Sequence, residues 1–305
     1  MKTGIKVLLG PSSFAELDKA PYNKLVQNNF NVIDNPYKRK LTEEELLSLL
    51  PGVTGLIAGL EPLTRKVLEK SDLKVISRCG SGLSNVDLLA AKEMGITVTN
   101  TPLGPTTAVA ELTLGCLLNL IRQVPQMNNS LHKKEWSKRI GKELTGSCVG
   151  IIGFGNIGRR VGRLLSIFGA KIIAVDPLLS GVVDNVPIVG IEEVLKEADI
   201  ITLHSSGEDC LLDKQEFDLM KQGVYILNAA RGSIINEEAL KEALDNGKVA
   251  GAWLDTFGNE PYNGVLCDYE QVILTPHIGS YTVQCRSSME MEAVENLIKA
   301  LNTNG

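Results

Sequence analysis

No run of 18 apolar residues free of charge occurs in this chain of 305 residues, so the sequence offers no membrane-spanning helix. A basic excess is missing as well. Lys plus Arg is 31 against 36 for Asp plus Glu, and the net charge of -5 excludes an overall electrostatic footprint for nucleic acid. The six cysteines, at 79, 116, 148, 210, 267 and 285, form no CxxC pair and suggest neither a zinc knuckle nor a disulfide framework. They are expected as free, mostly buried thiols in a reducing compartment. The apolar run near the N-terminus is too short for a signal peptide and reads as a first strand, so the expected location is the cytoplasm. Repeats and low-complexity segments are absent, and no residue pattern calls for a metal. What is present is a 44% hydrophobic composition and a length suited to about two domains.

Through the first hundred residues, short β-rich runs alternate with helical ones. Strands are expected at 5–9, 31–33, 55–58, 73–77 and 96–98. Helices are expected from Thr42, with Glu45 at the capping-box position, and over 64–70 and 88–94. This alternation predicts an α/β unit with a largely parallel sheet. A long helix with few charges follows over 107–121, expected to be buried nearly all round, between domains or against a partner subunit. Residues 126–143, with Trp136, read as an arm or a solvated linker. From 147 the alternation resumes, with strands at 148–152, 171–175, 200–203, 225–228, 250–253 and 272–275. Helices are expected at 159–168, 191–196, 214–219 and 236–245, and a last one at 287–301.

Gly153-Phe154-Gly155-Asn156-Ile157-Gly158 follows the strand at 148–152 and opens a helix, and Asp176 ends the next strand, 23 residues beyond Gly153. This is the dinucleotide fingerprint in its proper context. Gly153 permits the tight turn, Gly155 lets the backbone approach a pyrophosphate, and Gly158 lets helix and strand pack closely. The N-terminus of the helix that follows then offers N–H groups to that pyrophosphate, with Asn156 and Ile157 of the glycine loop as further cofactor-binding candidates. Asp176 can accept the adenine-ribose hydroxyls and would repel a 2′-phosphate, which favours NAD over NADP. Arg159, Arg160 and Arg163 lie downstream and keep the NADP alternative open, although a solvated helix face is their simpler role.

Three clusters of polar residues follow sheet strands, where ligands of open α/β sheets gather. His277, one of only three histidines, lies just past the last strand and can donate and recover a proton near neutrality. Arg231, in Asn228-Ala-Ala-Arg231-Gly232, can clamp a carboxylate and polarise a neighbouring carbonyl. Asp255 and Glu260 form the third cluster, and a carboxylate beside His277 would hold its tautomer. Each has a plainer reading: a structural histidine at a proline turn, a surface salt bridge, an exposed turn residue. Their shared placement after strands favours a joint role.

On these residues the chain resembles the D-isomer-specific 2-hydroxyacid dehydrogenase family over nearly its whole length. The matching pieces are Asn100-Thr-Pro with Val109-Ala-Glu111, the glycine fingerprint, Asn228 to Gly232, Asp255 with Glu260-Pro261, and Pro276-His277. The resemblance implies two Rossmann-like domains, with an NAD-binding domain (105–280) inserted into a discontinuous, flavodoxin-like substrate-binding domain (1–104 and 281–305). It assigns the substrate contact to Arg231, the general acid/base to His277, its carboxylate partner to Glu260, and a place near the nicotinamide to Asp255. The substrate would be a small D-2-hydroxy acid or its 2-keto partner, the cofactor NAD, and the assembly a homodimer through the NAD-binding domain.

The same resemblance makes the loop Arg78-Cys79-Gly80-Ser81-Gly82 a substrate-binding segment, whose N–H groups would take a carboxylate. The segment around Arg78 resembles the phosphoglycerate dehydrogenase branch, so Arg78 is expected either to hold a substrate phosphate or to form a salt bridge at the strand end. That makes 3-phosphoglycerate the leading substrate, ahead of glyoxylate, hydroxypyruvate or a bulkier keto acid, with an NAD(H)-binding sensor or corepressor as the non-enzymatic alternative. His204-Ser205-Ser206-Gly207-Glu208 departs from the family's His-x-Pro-x-Thr, which touches the coenzyme pocket rather than the catalytic set.

Overall fold

The Thr42 hydroxyl accepts the N–H of Glu45 at 3.3 Å, and the Glu45 carboxylate accepts the N–H of Thr42 at 2.9 Å. This reciprocal pair satisfies two donors that a helix start leaves open, and begins the helix Glu43–Leu49. The structure, a computed structural model, describes residues 4–207 and 209–303; Glu208 of the departing segment lies outside the described residues. The chain divides into two compact units, one within Met1–Pro105 and Ser280–Gly305, the other Thr106–Gly279.

In the first unit β1 (Lys6–Leu9), α1 (Ala20–Gln27), β2 (Asn31–Ile33), α2 (Glu43–Leu49), β3 (Gly55–Ala58), α3 (Arg65–Glu69), β4 (Val75–Arg78), α4 (Leu88–Glu93) and β5 (Thr97–Asn100) alternate. The sheet is wholly parallel, in the flavodoxin-like order β2-β1-β3-β4-β5. Alternate residues serve its two faces. Leu8, Leu56 and Ile76 pack with Leu46, Val67 and Ala90 of the helices on one side. Val7, Ile57 and Val75 pack with Leu25 and with Val294 and Leu297 of the C-terminal helix Val283–Thr303 on the other. A parallel sheet must be covered on both faces, and these two clusters cover it.

The second unit holds α5 (Pro105–Ile121), α6 (Val124–His132), β6 (Cys148–Ile152), α7 (Asn156–Ile167), β7 (Lys171–Val175), β8 (Gly181–Val183), β9 (Val186–Ile188), α8 (Ile191–Glu197), β10 (Ile200–Leu203), α9 (Lys214–Leu219), β11 (Val224–Asn228), α10 (Glu237–Asp245), β12 (Val249–Leu254) and β13 (Val272–Leu274). The strand order is β13-β12-β11-β10-β6-β7-β9-β8, parallel except for β8. It reverses direction at β6 and β10, the switch point at which doubly wound sheets open a crevice. Among the described residues no helix is long and apolar enough to cross a membrane.

Some elements differ from the sequence reading. α1 and the β8–β9 hairpin have no counterpart in it. Part of the expected polar arm is helical, as α6. α7 begins at Asn156, within the glycine turn itself, and the C-terminal helix, α11, begins at Val283 rather than 287. α5 keeps Glu111 and Asn119 exposed, so it is buried on most sides but not all.

Candidate active site

Gly153 adopts φ 91°, a backbone region that side chains rarely tolerate. A Cβ there would also lie 2.5 Å from the Ser205 nitrogen, and one on Gly158 would lie 2.2 Å from the Gly153 carbonyl oxygen. The turn after β6 is therefore pressed against the end of β10 and against the first turn of α7. Gly155 and Asn156 are exposed at that helix start, and a Cβ on Gly155 would meet nothing within 4 Å. Ile157 is half-buried beside them. Open backbone at the N-terminus of a helix three turns long is a cradle for a phosphate-bearing group. Asp176, at the end of β7, accepts the Phe154 N–H at 2.9 Å and the Leu178 N–H at 3.0 Å. Of the arginines downstream, Arg159 and Arg163 reach Asp184 in the hairpin turn, at 3.7 and 3.0 Å, and Arg160 is exposed.

Two residues that the sequence reading treats only as a departure belong to this cradle. His204 keeps some surface, but its Nδ1 is buried with no hydrogen-bond partner, as is the Ser205 hydroxyl. Burial pushes the His204 ring down to about 3, so it is neutral at physiological pH. Its Nε2 is 2.9 Å from the Thr202 hydroxyl. Thr256, just past β12, buries a third unpartnered polar atom, its hydroxyl. Orphaned polar atoms at strand ends, beside a glycine cradle, fit a dinucleotide rich in hydroxyl and phosphate oxygens. The sequence signal for them is two adjacent polar residues directly after a buried strand.

Asn228 ends β11 and shapes the loop that carries Arg231. Its amide donates to the Arg231 carbonyl at 2.8 Å, and its side-chain oxygen accepts the Ala230 N–H at 3.0 Å. Arg231 is half-buried and donates to the Ala230 carbonyl at 2.8 Å, leaving further guanidinium donors. Gly232 brings this loop against the next one, since a Cβ there would stand 1.9 Å from the Phe257 carbonyl carbon.

Beyond β12 and β13 the remaining residues assemble. Glu260 accepts the Phe257 N–H through Oε1 at 3.1 Å, and its Oε2 stands 3.0 Å from His277 Nδ1. Because an ionised carboxylate only accepts, Nδ1 carries the proton and Nε2 is left for other chemistry. Both side chains are partly exposed. Asp255 is placed differently from a group at the surface of a cofactor pocket. It is 2% exposed, and it accepts from the Thr275 hydroxyl and from the Ile278 and Gly279 N–H groups of the His277 loop.

The loop at 78–82 belongs to the first unit. The Cys79 N–H donates to the Ala58 carbonyl and the Gly80 N–H to the Thr101 hydroxyl, both at 2.8 Å. Those two donors are committed to the fold, so an anion nest here narrows to Ser81 and Gly82, which are exposed and half-buried. Gly80 takes φ 138°, and the Arg78 guanidinium lies against it while donating to the Cys79 carbonyl. Glu61 is buried nearby at the end of β3, accepting the Gly59 N–H at 2.9 Å. Burial raises its carboxyl above the usual range, and the charge of Arg78 opposes that shift. The Cys79 thiol is pushed up to about 12, chiefly by burial and then by the charge of Glu290, which makes it inert.

Comparison with known proteins adds four findings. Residues 114–279 match the family described as D-isomer specific 2-hydroxyacid dehydrogenase, NAD binding domain. The chain is 38% identical to a hydroxypyruvate reductase of Thermotoga maritima over 272 residues, covering 86% of this chain and 89% of that one. It is also 38% identical to the D-3-phosphoglycerate dehydrogenase of Sus scrofa, over 92% of this chain but only 54% of that protein, so it spans about half the length of this relative. A crystal structure of a glyoxylate reductase from Paecilomyes thermophila superposes with a TM-score of 0.87 at 28% identity, covering 98% of this chain and 95% of that one.

Proposed function

The chain belongs to the D-isomer-specific 2-hydroxyacid dehydrogenase family, and from that premise we propose that it interconverts a D-2-hydroxy acid and its 2-keto acid with NAD as cofactor. The observation that carries the reading is the Glu260–His277 pair at 3.0 Å, in the same unit as the glycine turn. NAD, when bound, accepts or supplies the hydride. The protein's own groups do the rest. Gly153, Gly155, Asn156, Ile157 and Gly158 take the pyrophosphate and Asp176 the adenine ribose, while Asp255 holds the backbone of the His277 loop. Arg231 fixes the substrate carboxylate and polarises the carbonyl beside it. In the reducing direction the His277 imidazolium, stabilised by Glu260 at Nδ1, gives its Nε2 proton to the developing alkoxide oxygen and is left as the neutral imidazole with Nδ1 protonated; in the oxidising direction the free Nε2 takes the hydroxyl proton. In the loop 78–82, Ser81 and Gly82 offer N–H groups to a carboxylate.

For the substrate, the lead is 3-phosphoglycerate and 3-phosphohydroxypyruvate, supported by Arg78 at the end of β4 and by the phosphoglycerate dehydrogenase relatives. A second reading, an unphosphorylated hydroxypyruvate or glyoxylate reductase, is favoured by the Arg78 guanidinium donating to the Cys79 carbonyl, which ties it to its own loop, and by the relative that the chain spans almost fully. NADH oxidation at 340 nm with 3-phosphohydroxypyruvate, hydroxypyruvate, glyoxylate and a bulky keto acid separates the two. A strong preference for the phosphorylated acid that Arg78→Ala abolishes supports the lead. Equal rates with and without the phosphate overturn it, and NADH binding without any turnover overturns the enzyme reading in favour of a sensor.

The proposal includes a homodimer formed through the second unit, because Trp136 and Ile140 stand 81% and 96% exposed on one segment beyond α6. It also places the enzyme in the cytoplasm, in keeping with its free cysteines. Light scattering of the full chain and of Trp136→Ala tests the dimer: a monomeric parent removes it.

A further inference from the structure

Trp253 is wholly buried in β12, and its indole can donate one hydrogen bond and accept none. Parallel pairing places Trp253 beside Ile273 of β13, and Thr275 follows two residues later. The indole Nε1 donates to the Thr275 hydroxyl at 3.0 Å. That hydroxyl has a single proton, and it goes to Asp255 Oδ1 at 2.6 Å. The direction is forced, because a donor-only group stands at one end and a carboxylate at the other. Asp255 then accepts the Ile278 N–H at 2.9 Å on Oδ1 and the Gly279 N–H at 2.8 Å on Oδ2. A Cβ on Gly279 would stand 3.0 Å from Oδ2, so glycine is what lets the carboxylate come so near.

These bonds bracket His277. Thr275 precedes it, Ile278 and Gly279 follow it, and its own N–H donates to the Thr275 carbonyl at 2.9 Å. His277 holds φ 54°, a left-handed conformation uncommon for a residue with a side chain. Such a conformation persists where the surroundings over-determine it. We propose that Trp253 and Thr275 are positioning residues for His277, acting through Asp255 as a one-way relay of hydrogen bonds that fixes the backbone on which the imidazole stands. The relay rests on the reading of His277 as the acid/base for its consequence in turnover, but not for its geometry. The ionisable groups around it are Glu260 at the imidazole Nδ1, Asp255 beneath the loop, and Cys116 of α5. The Cys116 thiol is held up to about 12 by burial and then by the charge of Asp255.

Thr275→Val removes the hydroxyl at nearly constant shape, and Thr275→Ser restores it. With three histidines in the chain, the imidazole nitrogens of His277 can be followed by 15N NMR through a pH titration of the full chain, with His132 and His204 as internal references. Thr275→Val is expected to displace the His277 Nδ1 signal and its titration midpoint, and to lower kcat by roughly 10- to 100-fold with KM for NADH nearly constant. Thr275→Ser is expected to keep the parent titration, and Trp253→Phe to fall between the two. A Thr275→Val protein with the parent titration and kcat overturns the relay. If that variant does not fold, Trp253→Phe decides, and an unmoved His277 signal there is the overturning result. His277→Ala tests the acid/base reading separately: undiminished turnover would end that reading, while the NMR comparison would still judge the relay.

Discussion

Asp176 at the end of β7 accepts the N–H of Phe154, the residue between the first two glycines of the turn, at 2.9 Å. One carboxylate thus pegs the turn and sets the local charge. Asp176→Asn keeps one acceptor and removes the charge. It is expected to lower the preference for NADH over NADPH by about tenfold or more, since juxtaposed like charges cost several kcal/mol. The ratio of kcat/KM for the two cofactors measures this, and an unchanged ratio would refute it.

His277→Ala is expected to lower kcat by about 10²- to 10⁴-fold, the ordinary contribution of a positioned acid/base. Glu260→Gln keeps an acceptor near Nδ1 but loses the charge that favours the imidazolium, so its loss is expected to be smaller. NADH affinity, read by calorimetry, should hardly move in either variant, because neither residue lies in the glycine cradle.

Gly232→Ala would set a Cβ 1.9 Å from the Phe257 carbonyl carbon and 2.2 Å from the Gly258 nitrogen. Both are backbone atoms, which cannot swing aside as a side-chain end does. Overpacking of this kind costs about 1–3 kcal/mol or more, so a melting temperature several degrees lower and a reduced kcat are expected together. An unshifted thermal melt would show that the two loops yield freely.

The depressed His204 ring makes the fold sensitive to acid. In the folded protein it remains neutral down to about pH 3, whereas in the unfolded chain it takes a proton near its ordinary value of 6.5. Below that value the unfolded state binds the extra proton, so stability is lost as pH falls, by at most about 1.4 kcal/mol per pH unit. His204→Asn removes this contribution. Urea unfolding at pH 7.5 and 5.5 should show a smaller drop for the variant than for the parent, and equal drops would contradict the assignment.

Much of the fold can be read along the sequence because its signals are local. The capping box at Thr42 and Glu45, the short buried strand Gly55–Ala58 and the glycine turn after Cys148–Ile152 each carry their cause within a few residues. α1 does not: in Ala20–Gln27 only Pro21 and Leu25 are buried, and the cluster that receives Leu25 comes in part from residues 293–301. The β8–β9 hairpin does carry a signal, in Asp184-Asn185 with φ 51° and 63°, a pair suited to a two-residue turn. In the site, placement after strands is legible, since it needs only the strand ends. Which partner each group takes is not. That Asp255 lies under the His277 loop, or that the Cys79 and Gly80 N–H groups are tied to Ala58 and Thr101, depends on registers between strands distant in the chain.

The sheet of the first unit is covered on one face by α11, whose Ala293 carbonyl accepts the Ser77 hydroxyl at 2.8 Å. During synthesis on the ribosome, β1 to β5 therefore emerge long before the helix that closes their core. The intervening Thr106–Gly279 carries all its own strands and can finish first. An early stop codon that removes α11 would spare that inner unit and strand the other with an uncovered apolar sheet, a substrate for chaperones and proteases rather than a shorter enzyme.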